Sequence, residues 1–345
     1  MASTSKAAAT KSILTPLMTL KGHRNKIQSI SYFRDGQEMI SGSRDKTTRQ
    51  WDLKTGKEIE EVRDVCKEEV CVVAASRDTR WVVTASGDWD STSVELKVCE
   101  VKTGLVKQLQ GHSQRITCID ISEDNKLLAS GSWDNTARIW NLETGKLMAG
   151  PFESIDEMGS VRFSTDSKKL AAESWTGTCL EVWDVQSQKL DKRIGNSSES
   201  GSPVPFAPIF WTNKNKNILA AFSFTEDDDA KTIYEFDALT LETVGTPFEG
   251  HTRVVNGLAL SSDSTFLASS SHDHTIKLWA FESRQLLASF DVQNSSNLIL
   301  SPDSRKLAYT TCTAEDCRIC ICDTPPDVLA QARVRTPRKY SLFVC

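Results

Sequence analysis

The chain has 345 residues, of which 39% are hydrophobic and 25% are charged, and its formal net charge at pH 7 is −5. This composition is ordinary for a soluble globular protein, and the negative balance argues against a general nucleic-acid binder, which usually carries a basic excess. The longest apolar runs, such as residues 70–75 and 218–222, are too short to span a bilayer.

The first twelve residues are mostly Ser, Thr, Ala and Lys, without the apolar segment of a secretory signal. We predict a disordered tail over residues 1–12. The ten cysteines of the chain are irregularly spaced and have no secretory context. They therefore indicate a reducing location, the cytoplasm or the nucleus, rather than a disulfide framework.

A repeated pattern begins at Gly22-His23 and recurs at Gly111-His112 and Gly250-His251. Each pair is followed, at the same two spacings, by an Asp and then by a Trp. The three sets are His23, Asp45 and Trp51; His112, Asp134 and Trp140; and His251, Asp273 and Trp279. Between them the chain alternates apolar and polar residues as half-buried strands do, with turn formers such as Glu123-Asp124-Asn125 separating the strands.

These residues resemble the WD40 repeat, whose unit of about 40–45 residues begins with Gly-His and ends with Trp-Asp. The literal Trp-Asp pair occurs at Trp51-Asp52 and Trp183-Asp184. Seven units are obtained by marking the Trp or the residue in its place: Trp51, Cys99, Trp140, Trp183, Phe236, Trp279 and Cys322. Fungal WD40 repeat proteins in particular look similar to this chain.

The resemblance implies an all-β fold, a seven-bladed WD40 β-propeller over residues 13–324, closed by an N-terminal strand in the last blade. The predicted blades are 22–60, 61–110, 111–150, 151–195, 196–249, 250–290, and 291–324 with 13–21. Because Pro325 and Pro326 prevent an immediately continuing strand, residues 13–21 fit as the missing one. We predict that the basic segment 325–345 is a disordered tail, and that units two, five and seven, which lack Gly-His and Trp, are the softest.

Each complete unit also contains a Ser, so that His23, Ser41 and Asp45 could be interpreted as a nucleophilic triad. The alternative is a structural hydrogen-bond network, which the family resemblance implies and which recurrence in three units favours. We predict the network, no catalytic residue and no enzyme activity. Cys312, Cys317, Cys320 and Cys322 match no zinc-site spacing, and we predict neither a metal nor a cofactor.

In the family, the residue before the network Asp borders the central channel on the top face, and residues early in the first strand face the same rim. The first position holds Arg44, Trp133, Trp175, Phe224, His272 and Cys312, with Asp88 or Trp89 in unit two. The second position includes Lys26 and Arg115. We predict a partner-binding surface of Trp133, Trp175, Phe224, His272, Arg44, Lys26 and Arg115. The nearby acidic run 226–229 favours a partner with a basic anchor residue.

We expect a non-catalytic scaffold that assembles a multiprotein complex through its propeller surface. The alternative is a ligand- or self-recognition module of a signalling or incompatibility system. The expected partners are proteins or peptides rather than membranes or nucleic acids, and the chain on its own is expected to be monomeric.

Overall fold

The computed structural model describes residues 11–12, 14–59, 64–88, 93–196, 208–225, 229–313 and 316–334. Several predicted features lie outside these ranges: residues 1–10, Trp89, the acidic residues 226–228, most of the insertion 195–208 and the basic end from residue 335. Two short strands precede the first blade: β1 (Lys11–Ser12) and β2 (Met18–Lys21).

The strands of the first three blades are antiparallel within each sheet and follow one another along the chain. Blade one contains β3 (Ile27–Tyr32), β4 (Glu38–Ser43), β5 (Thr47–Asp52), β6 (Lys57–Glu58) and β7 (Asp64–Val65). Blade two contains β8 (Val70–Ala75), β9 (Trp81–Gly87), β10 (Val94–Glu100) and β11 (Val106–Leu109). Blade three contains β12 (Ile116–Ile121), β13 (Leu127–Ser132), β14 (Thr136–Asn141) and β15 (Leu147–Glu153).

Four further blades complete the ring, which confirms the predicted all-β, seven-bladed propeller. Blade four contains β16 (Met158–Phe163), β17 (Lys169–Ser174), β18 (Cys179–Asp184) and β19 (Lys189–Gly195). Blade five contains β20 (Phe210–Thr212), β21 (Asn217–Phe222) and β22 (Thr232–Asp237). Blade six contains β23 (Val255–Leu260), β24 (Phe266–Ser271), β25 (Thr275–Ala280) and β26 (Leu286–Asp291). Blade seven contains β27 (Ser295–Leu300), β28 (Lys306–Cys312) and β29 (Cys317–Asp323).

The N-terminal strand β2 supplies the outermost strand of blade seven. It pairs antiparallel with β29, with Met18 opposite Ile321 and Leu20 opposite Ile319. Leu20 is 1% exposed and packs with Ile319 and Trp51 in one apolar cluster. The two ends of the propeller therefore share one sheet, and the edge of β29 is covered.

Apolar clusters lie between neighbouring blades rather than within single blades. One cluster, for example, joins Val83 and Leu96 of blade two to Leu128 and Trp140 of blade three. Blades three and four approach so closely that a Cβ on Gly131 would lie 2.9 Å from the Met158 Cβ. Because a four-stranded sheet cannot bury both of its faces alone, stacking around the ring supplies the core.

Within the described residues, secondary structure extends into both segments that were predicted as tails. Lys11–Ser12, assigned to the tail, pair in parallel with β26. In the segment predicted to be disordered, the helix α1 (Pro326–Val334) forms. Pro326 opens it, Asp327 lies in its first turn, and Val328 is 2% exposed in a cluster with Phe290. A proline at the first position, an acidic first turn and an apolar contact on the propeller explain the helix.

Blade five is the least regular blade, as its missing Gly-His and Trp suggest. Its sheet has three strands, and the outer position is occupied by isolated bridges between Ile233 and Phe248 and between Phe236 and Thr243. Blades two and seven, which lack the same residues, nevertheless have four strands each. Of the three blades that lack Gly-His and Trp, only blade five therefore also lacks a regular outer strand.

Candidate functional site: the top face and the central channel

The top face carries the turns between the second and third strands of each blade, together with the segments that lead into each first strand. On this face the structure joins His, Ser, Asp and Trp into one hydrogen-bonded chain in blades one, three and six. In blade three, His112 Nδ1 lies 2.9 Å from Asp134, and His112 Nε2 lies 2.8 Å from the Ser130 hydroxyl. The Trp140 indole N–H donates to the same hydroxyl at 2.9 Å.

Blades one and six repeat these contacts. His23 lies 2.9 Å from Asp45 and 2.7 Å from Ser41, to which Trp51 donates at 2.8 Å. His251 makes the corresponding contacts with Asp273 and Ser269, and Trp279 donates to Ser269, each at 2.8 Å. The three serines are 0% exposed. A hydroxyl that contacts both an imidazole and an indole, and has no surface, cannot reach a substrate.

The Asp of each network also holds the surrounding backbone. Asp134 accepts hydrogen bonds from the N–H groups of Ser113 and Thr136, at 3.0 Å each. Burial raises the pKa of the Asp134 carboxyl, but the hydrogen bond and the charge of His112 more than offset this effect, so the net pKa lies below its ordinary value. The ionised carboxylate therefore fastens the turn before β12 to the turn before β14.

The channel position before each network Asp holds side chains of very different exposure. Phe224 is 54% exposed, whereas Trp175 is only 9% exposed and Trp133 is partly buried. The Trp133 and Trp175 rings meet edge to face, with centroids 5.6 Å apart. Phe224 instead packs against Phe222 and Tyr234 of its own blade, with both centroid distances at 5.1 Å.

Arg115 corrects the predicted partner-binding set, because it is 3% exposed. Its guanidinium donates to the Gln28 side-chain oxygen at 2.8 Å and to the Gly87 carbonyl at 2.9 Å. It also lies 5.7 Å from the centre of the Trp133 ring. Arg115 therefore links blades one, two and three below the top face instead of contacting a partner.

Glu69 is a site residue that the sequence interpretation missed. Its carboxylate lies 3.4 Å from Arg115, 3.5 Å from Arg44 and 3.2 Å from the Gln28 amide. Glu69 directly precedes β8, as Lys26 precedes β3 and Arg115 precedes β12. This shared position could have identified Glu69 from the sequence. Unit two, however, lacks the Gly-His pair by which the other units are aligned. The basic side chains predicted for blades one and three thus surround an internal acid.

His272 and Lys26 lie in a separate cavity of about 280 Å³, lined also by Asn294, Thr310 and Cys312. Burial, and then the charge of Arg44, lower the pKa of Lys26. Burial, and then the charges of Lys26 and Arg253, lower the pKa of His272. At neutral pH His272 is therefore an uncharged hydrogen-bonding group at this part of the rim.

The acidic part of the top face lies on blades four and five. Asp156 and Glu157 precede β16, and the Glu157 carbonyl accepts a hydrogen bond from the Trp175 N–H at 2.7 Å. Burial, and then the neighbouring Asp156, raise the pKa of Glu157. Asp229 follows Phe224 in the same loop of blade five. Acidic groups thus lie next to Trp175 and in the loop that follows Phe224.

A disulfide joins Cys312 to Cys317. The two residues lie directly opposite each other at the end of β28 and the start of β29. Cys320 and Cys322 share one apolar cluster, as their spacing on one strand face predicts. Within the described ranges no group of His, Cys, Asp and Glu has metal-binding geometry. The only helix there, α1, is too short to cross a membrane.

The chain matches the family model "WD domain, G-beta repeat" at residues 14–52, 103–141 and 241–280. It is similar to Periodic tryptophan protein 2 of Arabidopsis thaliana, at 29% identity over 61% of this chain and 22% of that protein. It is also similar to the small ribosomal subunit protein RACK1 of Caenorhabditis elegans, at 26% identity over 60% of this chain and 77% of that protein.

A third relative is Cell division cycle 20.6, cofactor of APC complex, of Arabidopsis thaliana, at 23% identity over 76% of this chain and 60% of that protein. The chain thus spans about a fifth of the first of these relatives, three quarters of the second and three fifths of the third. A fungal subtype stays a prediction. Repeat spacing, seven four-stranded or nearly four-stranded blades and these matches together show that the chain belongs to the WD40-repeat β-propeller family.

Proposed function

We propose that this chain is a non-catalytic scaffold that binds segments of other proteins on the top face of its propeller, around blades four and five. Phe224 carries this proposal, because a phenylalanine that is 54% exposed on the top face offers a large apolar contact to a partner. The edge-to-face Trp133–Trp175 pair lies on the same face, after the second strands of blades three and four. A cofactor of the APC complex and a ribosomal subunit protein among the relatives support a role in assemblies.

The charge distribution favours a partner with a basic anchor residue. Asp156 and Glu157 of blade four and Asp229 of blade five lie on this part of the top face, whereas the positive charges of Arg44 and Arg115 face Glu69. A lysine or arginine of the partner would be attracted to blades four and five, and the association rate would fall as salt screens the attraction. We place the protein in the cytoplasm or nucleus, as a monomer when alone.

The test compares two exposed apolar residues of blade five. Phe224 lies on the top face, and Leu239, which is 76% exposed, lies in the turn between the third and fourth strand positions on the opposite face. Proteins captured from native extract by the wild type are quantified again with Phe224→Ala and Leu239→Ala. Phe224→Ala is expected to lose the principal partner by about 30-fold, the effect of removing a central anchor, while Leu239→Ala retains it.

Melting temperatures of both variants show whether the ring stays folded. A folded Phe224→Ala protein that keeps every wild-type partner would rule out top-face binding at this position. Equal losses from both variants would show that recovery depends on general surface hydrophobicity, which also contradicts the proposal.

A further inference from the structure

The bottom face, opposite the channel position described above, has a variable ring of its own. In six blades the turn between the first and second strands places one variable residue directly before an Asp. These residues are Arg34, Arg77, Glu123, Thr165, Ser262 and Pro302. All six line two adjoining cavities at the bottom end of the channel. We call the larger cavity, of about 660 Å³, the bottom mouth.

The Asp side chain of each turn accepts hydrogen bonds from groups of the same turn. Asp78, for example, accepts hydrogen bonds from the Ser76 hydroxyl at 2.5 Å and from the Arg80 N–H at 3.1 Å. Asp124, Asp166 and Asp303 make the same pair of contacts with the hydroxyl before them and the N–H after them. These carboxylates are held within the turns and do not line the two cavities, whereas the residue before each Asp does.

Three arginines from three different blades reach the bottom mouth: Arg34, Arg77 and Arg162. Arg162 is held in place, since its guanidinium donates to Asp120 at 2.9 Å and to the Ile209 carbonyl at 3.1 Å, and lies 4.9 Å from the Phe210 ring centre. Its side chain remains 30% exposed. Arg34 is exposed and has no ion pair within the described part of the chain.

Arg77 is paired with Glu123 at 3.1 Å, but the two side chains are 43% and 53% exposed. An exposed pair of this kind contributes only about 0–1 kcal/mol, so an incoming anion can replace Glu123 at little cost. The mouth therefore combines an arginine without an ion pair among the described residues, a weakly paired arginine and a fixed arginine, in a chain whose net charge is negative.

We infer that the bottom mouth binds an acidic peptide segment, with its carboxylate or phosphoryl groups held between Arg34 and Arg77 and bordered by Arg162. A planar guanidinium binds both kinds of group through paired hydrogen bonds. The volume of the mouth lies within the range of about 300–1,000 Å³ that is typical of ligand pockets, enough for a few residues of an extended chain. This inference does not depend on top-face binding, and together the two faces would let one ring hold two partners of opposite charge.

The experiment measures binding of a short fluorescent peptide of alternating Glu and Gly by fluorescence anisotropy, at low and high salt. A second peptide carries phosphoserine in place of each Glu, and a third carries Lys. The double variant Arg34→Gln/Arg77→Gln is compared with Arg24→Gln/Arg253→Gln, which removes two exposed charges from the top face and leaves the same net charge. Glu123→Gln removes the internal competitor.

The mouth variant is expected to weaken binding of the Glu peptide by about tenfold, because two exposed charge contacts together amount to roughly that factor. Glu123→Gln is expected to strengthen binding about two- to fivefold. The top-face variant controls for the loss of two positive charges elsewhere on the protein, and the Lys peptide controls for the sign of the peptide's charge. A preference for the phosphoserine peptide would identify phosphorylated segments as the source of the anion, and equal binding would identify carboxylates.

Equal weakening by both double variants would show attraction to overall charge and overturn the inference, as would wild-type protein that binds no acidic peptide at low salt. Melting temperatures of all variants are measured in parallel. Since the exposed side chains of Arg34 and Arg77 contribute little to the core, both double variants are expected to stay folded.

Discussion

Blade three and blade five occupy equivalent places in one ring but are held together by different interactions. In blade three, His112, Ser130 and Trp140 form a hydrogen-bonded chain within the blade, anchored by Asp134. In blade five, Phe222, Phe224, Tyr234 and Phe236 form an aromatic cluster in its place. The outer edge there is reduced to isolated bridges.

Blade five is also linked to blade six by an ion pair between Glu235 and Arg284. Glu235 is 6% exposed and accepts hydrogen bonds from Thr212, from Asn217 and from Arg284 of blade six. The Arg284 guanidinium lies between the Phe248 and Phe281 rings, 4.6 and 4.8 Å from their centres. The comparison teaches that a blade without the internal network can be held by its neighbour instead.

The largest effect is therefore expected at the link between blades five and six. Glu235→Ala should lower the free energy of unfolding by about 3–5 kcal/mol, because it leaves the Arg284 charge, whose side chain is only 13% exposed, without its partner. The measurement is chemical denaturation. The double variant Glu235→Leu/Arg284→Met is the control and should recover most of this loss, since it removes both charges. If the single variant is as stable as the wild type, blade five does not depend on this ion pair.

The next effect concerns the network of blade three. Asp134→Ala should cost about 1–3 kcal/mol, because His112 and the backbone N–H groups that face the carboxylate lose their acceptor. Thr225 holds the matching position in blade five, and Thr225→Ala should change stability by no more than about 0.5 kcal/mol. Denaturation curves of both variants provide the comparison. Similar costs at the two positions would mean that the network adds nothing specific to its blade.

A smaller effect is expected from acid. The pKa values of Asp45, Asp134 and Asp273 lie below their ordinary value of 3.8 in the folded chain. Their contribution is complete above that value and is lost as the pH falls through the folded-state pKa. The melting temperature of Asp134→Asn should consequently fall less steeply than that of the wild type below about pH 4. Parallel curves for the two proteins would show that this carboxylate does not titrate as the geometry requires.

The smallest effect is local opening without global unfolding. Backbone amides in the outer part of blade five, residues 243–248, should exchange hydrogen faster than those of β15 in blade three, because isolated bridges protect fewer amides than a paired strand. Hydrogen exchange followed by mass spectrometry compares the two segments within one sample. Slower exchange in blade five would contradict its assignment as the softer blade.

The sequence predicted the parts of the molecule that repeat and missed those that depend on contacts between blades. The Gly-His, Asp and Trp positions located the three networks because their spacing is local to one unit. Arg115 was assigned to the surface, although its direction is set by Glu69 and Gln28 in two other blades. Likewise, α1 is helical partly because Val328 finds an apolar cluster on the propeller, which no local pattern reveals.

The pairing of β2 with β29 also has a consequence for the order of events during protein synthesis. Leu20 is made about 300 residues before its partner Ile319. At roughly 5–20 residues per second, β2 waits for tens of seconds before the ring can close. During that time an unpaired strand edge is exposed on a nascent chain, at the stage when such edges are most prone to wrong pairing. A ring that closes through β2 therefore needs chaperone protection of this edge until β29 has been made.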